Sequence, residues 1–435
     1  MLRPRIGLAV LANRHEVGAD QAAALRDRLR EALRQLAVAL EVAEPVVEDN
    51  RTAAEVGRRF SETQVDVVCL AAATWCDDDF ALDLLAHCDR PAITWAIPGI
   101  ETGSLCGTQQ LDCVLGQVGR SYRFVYGTPE DPQACERALG YARAVALERA
   151  VRRARFGLIG QRTRGMTEVA CDEFALARVI GPRLLSCDTA EHLALQQAVP
   201  EDEARAVWER VAAAVGRVSS SREDGLASAR AYLAMKRFVE DNDLAGVAVG
   251  CYPDLMGQVC LAASLLAEEG VVVGCEGDVN GTVAMFMVHS LTGQPVHNTD
   301  LLFDYAEDNS LLLSHCGSGG FSLARDPAEI HLAPVRLADR GVCVLFPPRP
   351  GPVTLVNLVG AGERYQAAVM EGEAVESEMV FPGNPLRVRL ERPLPALLDE
   401  IAALGIGHHW MAGYGLVGDV VRDYCDLVGL TCHRL

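Results

Sequence analysis

The run Cys275-Glu276-Gly277-Asp278-Val279-Asn280-Gly281, followed by Asp300 and then by His408-His409-Trp410 with Tyr414-Gly415, gathers residue types that bind a hard divalent metal. Carboxylate oxygens with imidazole nitrogen suit Mn²⁺ or Mg²⁺ and leave positions open for a substrate. Glu276 directly follows Val271-Val272-Val273-Gly274-Cys275, an apolar β-branched run that predicts a buried strand. Its carboxylate then sits at a strand's carboxyl end, where open α/β sheets place ligands. Taken alone, a carboxylate there is more often a helix cap or a structural ion-pair member. The spacing of Val283, Met285, Phe286, Val288, His289 and Leu291 predicts a buried helix from Thr282 to Thr292, ended by Gly293.

Other residues compete for attention. His315 and Ser318 lie in Leu313-Ser314-His315-Cys316-Gly317-Ser318-Gly319-Gly320, where a strand ends in a Gly-rich loop that could line a pocket. No Lys follows that would make it a phosphate loop, and ordinary loop chemistry explains the pair equally well. Trp75 could stack on the apolar face of a sugar, or simply pack. Asp77-Asp78-Asp79 looks like a metal cluster on paper, but consecutive carboxylates do not converge on one ion, and a solvated loop or helix start is the better reading.

The segment Glu276-x-Asp278-x-Asn280-Gly281-x-x-Ala284-Met285, then Leu291-Thr292, then Asp300, resembles the active-site segment of the L-fucose isomerase family, within the L-fucose/L-arabinose isomerase superfamily. Three distant matches accompany it. Thr74-Trp75-Cys76 is similar to the family's aromatic-Cys element in the first domain. Gly157-Leu158-Ile159 to Met166, with Asp172-Glu173-Phe174, is similar to its second-domain entry, and His409 with Tyr414, Gly415 and Gly418 to its C-terminal metal-histidine motif. The chain is shorter than the longer fucose isomerases.

The resemblance implies a metal-dependent aldose–ketose isomerase acting on an open-chain pentose or 6-deoxyhexose, L-fucose or D-arabinose among them. Glu276, Asp300 and His409 would hold Mn²⁺, or another divalent ion such as Mg²⁺ or Co²⁺, with Glu276 and Asp300 doubling as the acid/base pair. His408 is the nearest competitor of His409; the match at Tyr414 and Gly418 selects His409. Arg14, Trp75, Met166, Gln258, His315, Ser318 and Tyr414 are the substrate-binding candidates. In this family first-domain residues such as Arg14 serve an adjacent subunit's site, which implies a homo-oligomer, a trimer or hexamer. Two other classes compete: a metal-dependent aldolase or hydrolase using the same ligands, and a sugar-binding protein without turnover, which would need none of the three ligands.

The elements that must position these residues are α/β in texture. Before about residue 153, strand-like runs (Ile6 to Leu11, Val65 to Leu70, Ala92 to Ala96) alternate with helical ones (Gln21 to Leu40, Leu105 to Leu115), which predicts βαβ units and a parallel sheet. An Arg/Ala-rich helix from Tyr141 to Arg155 leads to a second set beginning at Phe156 to Gly160. Beyond residue 293 shorter strands and the Pro-rich stretch at 347–352 predict a mostly β, barrel-like part. The expected architecture is two consecutive Rossmann-like domains, 1–153 and 154–292, followed by a C-terminal domain, 293–435.

Composition agrees with a large-cored globular protein: 435 residues, 50% hydrophobic and 23% charged. The formal net charge of −19 argues against nucleic-acid or anionic-membrane partners, which call for a basic face, and leads us to expect a neutral small-molecule substrate, which the resemblance implies is a sugar. The fifteen cysteines are odd in number, scattered in apolar runs and without a Cys-x-x-Cys pair, as suits free thiols in a reducing cytoplasm. The apolar stretch Ile6 to Ala12 meets Asn13-Arg14 without a small-x-small cleavage pattern, so a first strand is expected there in place of a signal peptide.

Overall fold

The computed structural model describes every residue of the chain except Ala361 and Glu363. The chain divides into two compact units, residues 2–149 and residues 150–435 together with Met1.

In the first unit, strands β1 (Arg5–Leu11), β2 (Ala39–Val42), β3 (Val67–Ala72), β4 (Ala92–Ala96) and β5 (Tyr122–Tyr126) form a parallel sheet in the order β2-β1-β3-β4-β5. β1 and β3 are buried almost throughout, as strands covered on both faces must be. The helical run expected from Gln21 to Leu40 is shorter: the helix is Ala22–Arg34, and β2 begins at Ala39. Leu25, Leu29 and Leu33 complete its buried stripe, after which Ala39 and Leu40 pair with Arg5 and Ile6. Asp77-Asp78-Asp79 opens the helix Asp78–His87. The Arg/Ala-rich helix runs from Pro132 to Arg153, starting well before Tyr141.

The second unit holds three sheets. Strands β6 (Arg155–Ile159), β7 (Arg183–Cys187), β8 (Arg217–Val218), β9 (Gly246–Val249) and β10 (Val272–Gly274) come first; four of them form a parallel sheet in the order β10-β9-β6-β7. Then follow β11 (His297–Tyr305), β12 (Ser310–Ser314), β13 (His331–Val335), β14 (Arg340–Leu345), β15 (Gly351–Val359), β16 (Gln366–Val375), β17 (Leu386–Arg389), β18 (His409–Tyr414) and β19 (Thr431–Arg434). Seven of these lie in the order β15-β18-β11-β12-β17-β16-β19, and β15 also pairs with β16. That pairing closes six antiparallel strands into a ring, which removes the exposed edges an open sheet would carry. β14, β13 and β8 make a small third sheet.

The fold is thus α/β with two parallel sheets and a mixed, mostly β C-terminal sheet, as expected; the helices Leu394–Leu404 and Gly418–Val428 also belong to this last part. All fifteen cysteines are free and most are buried, where they pack as small apolar side chains. Among the described residues no helix is long and apolar enough to cross a membrane.

Candidate active site

β10 ends at Gly274, and the chain turns so sharply that Glu276 (φ 62°) and Gly277 (φ 71°) both take left-handed backbone. Such a conformation costs a non-glycine residue about 1–2 kcal/mol, and from it the Glu276 carboxylate reaches His409. Asp278 then caps the helix Val279–Thr292: its Oδ1 accepts the Gly281 N–H at 2.8 Å. The helix ends at Gly293, φ 70°, as its apolar spacing requires.

Antiparallel register brings the remaining groups to the same place. Asp300 of β11 lies directly opposite His409 of β18 on one side and Ser314 of β12 on the other, and His315 follows Ser314. Cross-strand neighbours of this kind have side chains about 5 Å apart. His409 Nε2 stands 3.1 Å from Glu276 Oε2 and 3.8 Å from Asp300 Oδ1, while His315 Nε2 stands 4.0 Å from Asp300 Oδ2. His408 turns its Nε2 to within 4.0 Å of Glu276 Oε2.

These groups fit a divalent cation. Potential ligand atoms of Glu276, His315 and His409, and likewise of Asp300, His408 and His409, all lie within 4.8 Å of one another. Asp300 Oδ1 is buried without a hydrogen-bond partner, a costly state that a cation would relieve. The tautomer of His409 points the same way. Its Nδ1 is 2.8 Å from Asp278 Oδ2, and a carboxylate only accepts, so Nδ1 carries the proton. Nε2 therefore turns its lone pair toward Glu276, an arrangement that needs a second proton or a cation between them. Burial alone would depress the His409 pKa; hydrogen bonds to Asp278 and Glu276 outweigh it and push the value up to about 10. Burial works to raise the Glu276 pKa, but the His409 hydrogen bond and the neighbouring imidazoles carry it below the ordinary carboxylate value. Two carboxylates with imidazoles make a donor set for Mn²⁺, Mg²⁺ or a first-row relative.

The other expected site residues are placed unequally. Ser318 is buried, with its Oγ 3.6 Å from Cys275 Sγ, next to the Glu276 turn. Met166 sits half-buried on the loop at 161–168, whose Thr163 N–H donates to the Glu276 carbonyl at 2.9 Å. Gln258 lies on the turn that packs against Gly341 of β14. Tyr414 is not brought to the cluster: it is at the far end of β18 from His409, at about 3.3 Å per residue. There its hydroxyl donates to the Arg349 carbonyl, under the Arg349 guanidinium 4.2 Å from the ring centroid. Arg14 and Trp75 belong to the first unit. Arg14 is exposed on the loop after β1, and Trp75 donates its Nε1 hydrogen to Gln110 at 3.0 Å.

Two participants were not identified from sequence. Asp278 carries the His409 contact as well as the helix cap, and the Glu-x-Asp spacing was the signal available for it. Glu168, in the short 3-10 turn Thr167–Val169, holds His408 Nδ1 at 2.6 Å, a contact across 240 residues that no local pattern announces. A cavity of about 870 Å³ lies elsewhere, lined by Glu371, Arg389, Arg422 and Arg434 among others.

No family model matches the chain. A sulfoquinovose isomerase from Alkalicoccus urumqiensis is 26% identical over 380 residues, covering 84% of this chain and 85% of the relative. One from Priestia megaterium is 26% identical over 376 residues, with 84% and 83% covered. An L-arabinose isomerase from Nocardioides is 23% identical over 342 residues, with 74% and 68% covered. Among solved structures, a periplasmic solute-binding protein from Actinobacillus succinogenes with bound D-allose aligns over 68% of this chain at 11% identity and a TM-score of 0.18, too low to carry an argument. The chain is therefore an enzyme homologous to sugar isomerases, the aldose–ketose class of intramolecular oxidoreductases. The sugars named for these relatives differ from the L-fucose of the resemblance.

Proposed function

We propose that this chain is a metal-dependent aldose–ketose isomerase working on the open-chain form of a small aldose. The observation that carries the reading is that two carboxylates from separate elements meet one imidazole: His409 Nε2 stands 3.1 Å from Glu276 and 3.8 Å from Asp300. Glu276, Asp300 and His409 would hold the ion, with His315 or His408 within reach as a further ligand. A divalent cation bound there supplies Lewis-acid polarisation of the substrate oxygens at C1 and C2.

The protein's own residues handle the protons. One of the two carboxylates, Glu276 or Asp300, takes the proton from C2 of the aldose, which leaves an enediol, and the proton is returned to C1 to give the ketose. The step balances within the sugar: the C2 hydrogen ends on C1 and the O2 hydroxyl proton on O1, so C2 is oxidised as C1 is reduced and no outside oxidant is needed. Glu276, among imidazoles that carry its pKa below the ordinary carboxylate value, stands ionised at neutral pH and can take a proton. Asp278 keeps the His409 ring fixed, so that the site does not have to reorganise when substrate enters. We take residues 154–292 and 293–435 as separate domains, the first bringing Glu276 and the second Asp300 and His409. Arg14 and Trp75 would complete the site from a neighbouring subunit of a homo-oligomer.

The candidate substrates are a pentose or 6-deoxyhexose, as the resemblance suggests, and sulfoquinovose, the sugar for which the relatives are named. The test is ketose formation by the purified protein after chelation and after Mn²⁺ addition, across L-fucose, D-arabinose, L-arabinose and sulfoquinovose. Mn²⁺ should restore conversion of at least one of them. Glu276→Gln should lower that rate by about 10²–10⁴-fold with an unchanged thermal melt. Undiminished turnover in the chelated protein or in Glu276→Gln would end this reading.

A further inference from the structure

The loop at 161–168 is fastened to the site at three points. Thr163 N–H donates to the Glu276 carbonyl at 2.9 Å. The Arg162 Cα is packed so closely on Gly277 that a side chain there would begin 2.6 Å from it. Glu168 holds His408 at 2.6 Å. The loop is therefore part of the wall of the site, and its composition bears on what the site accepts.

Two guanidinium groups, Arg162 and Arg164, stand exposed on this loop. The chain carries 59 acidic residues against 40 basic ones, and its arginines elsewhere commonly face carboxylates: Arg28 meets Glu130, Arg237 meets Glu203, Arg325 meets Glu329. The contacts of Arg162 are of another kind. Its Nη1 lies 3.5 Å from the Thr163 carbonyl and 3.3 Å from the Met166 carbonyl, which orients the group without neutralising it. A guanidinium fixed on neutral carbonyls, beside an acidic site in a strongly acidic chain, retains its charge and most of its donors for a ligand. Its planar fork matches the paired oxygens of a sulfonate or phosphate.

We propose that Arg162, assisted by Arg164, is an oxyanion clamp that makes this site selective for a sugar bearing a terminal anionic group. This rests on the isomerase reading above and departs from the neutral substrate expected from net charge. The clamp acts on binding, so it should appear in KM more than in kcat. A neutral sugar would leave the two arginines unpaired, whereas an anionic one would gain charge-assisted hydrogen bonds.

The experiment is kcat/KM for three substrates, sulfoquinovose, glucose 6-phosphate and 6-deoxyglucose, in the Mn²⁺-loaded wild type, Arg162→Ala, Arg162→Lys and Arg164→Ala. The wild type should prefer an anionic sugar. The ratio of anionic to neutral kcat/KM should fall about 10- to 100-fold in Arg162→Ala, largely through KM, with partial recovery in Arg162→Lys. The sulfonate and phosphate arms show which oxyanion the clamp was shaped for. A ratio unchanged by Arg162→Ala, with both sugars equally affected, would make the loop merely structural and overturn the clamp. Should no aldose be converted, the isomerase reading fails separately. Calorimetric binding of sulfoquinovose to the same variants then decides the clamp, with equal affinity in wild type and Arg162→Ala counting against it.

Discussion

Asp278 and His409 lie 131 positions apart in sequence and 2.8 Å apart in space, and the contact defines the chemistry of the His409 ring. Asp278 is committed twice, through Oδ1 to the helix that begins beside it and through Oδ2 to His409 Nδ1. Its position is therefore set by a secondary-structure element, and His409 inherits that rigidity. Partners of this kind typically contribute 10–100-fold to metal affinity. Asp278→Ala is expected to weaken Mn²⁺ binding by about that factor, read by titration calorimetry, and to lower stability by about 1 kcal/mol through the lost cap. Asp278→Asn keeps an acceptor for the Nδ1 hydrogen and should fall between the two. Wild-type affinity in Asp278→Ala would show that His409 is positioned by something else.

The second prediction concerns acid. Burial pushes the His192 pKa down to about 4 and that of His297 to about 3, because neither ring has a carboxylate beside it to offset the loss of water. The unfolded chain takes up these protons as pH falls through about 6.5, and the folded chain does not. Stability is therefore lost as pH falls from about 6.5 toward 4 for His192 and toward 3 for His297. His409 does not compensate in this window. In the metal-free protein its raised pKa gives a contribution that is complete below about 6.5 and is lost only as pH rises through about 10. His192→Gln should remove roughly 2 kcal/mol of the stability difference between pH 7.5 and pH 5, measured by urea unfolding at both. Identical pH dependence in the variant would mean that His192 is not the neutral buried ring described.

How much of this was legible in the sequence depended on whether the determining contacts were local. The helix expected from Thr282 to Thr292 and its Gly293 stop follow from apolar spacing and from the left-handed cap, both short-range, although the helix starts earlier, at Val279, behind the Asp278 cap. Glu276, Asp300 and His409 were singled out by type and by resemblance, and Asp300 faces His409 across a strand pair whose register no local pattern reveals. The closure of β15 on β16 was hidden for the same reason. Asp278 was hidden differently. An Asp three residues before a helical Gly is fully explained as a cap, and its second oxygen leaves no trace in sequence. Tyr414, a substrate-binding candidate by motif, lies with Arg349 at the other end of β18 from His409, a placement that the motif spacing does not reveal.

Gly277 offers the most direct check on the geometry of the site, since two separate features demand glycine there. Its φ of 71° is a backbone that side chains resist, and the added methyl group would meet Arg162 Cα at 2.6 Å and Arg162 N at 2.7 Å. Backbone atoms cannot rotate away, so either the Glu276 turn or the loop at 161–168 must move. Gly405 is a natural control: its φ is 66°, and nothing lies within 4 Å of the position a methyl group would take. Gly405→Ala should thus cost only the conformational penalty, about 1 kcal/mol. Gly277→Ala should cost at least about twice as much, and because Gly277 links Glu276 to Asp278 it should also weaken Mn²⁺ binding, whereas Gly405→Ala should not. Equal melting temperatures and equal metal affinity for the two variants would mean that the loop does not press on the turn, and the described wall of the site would have to be abandoned.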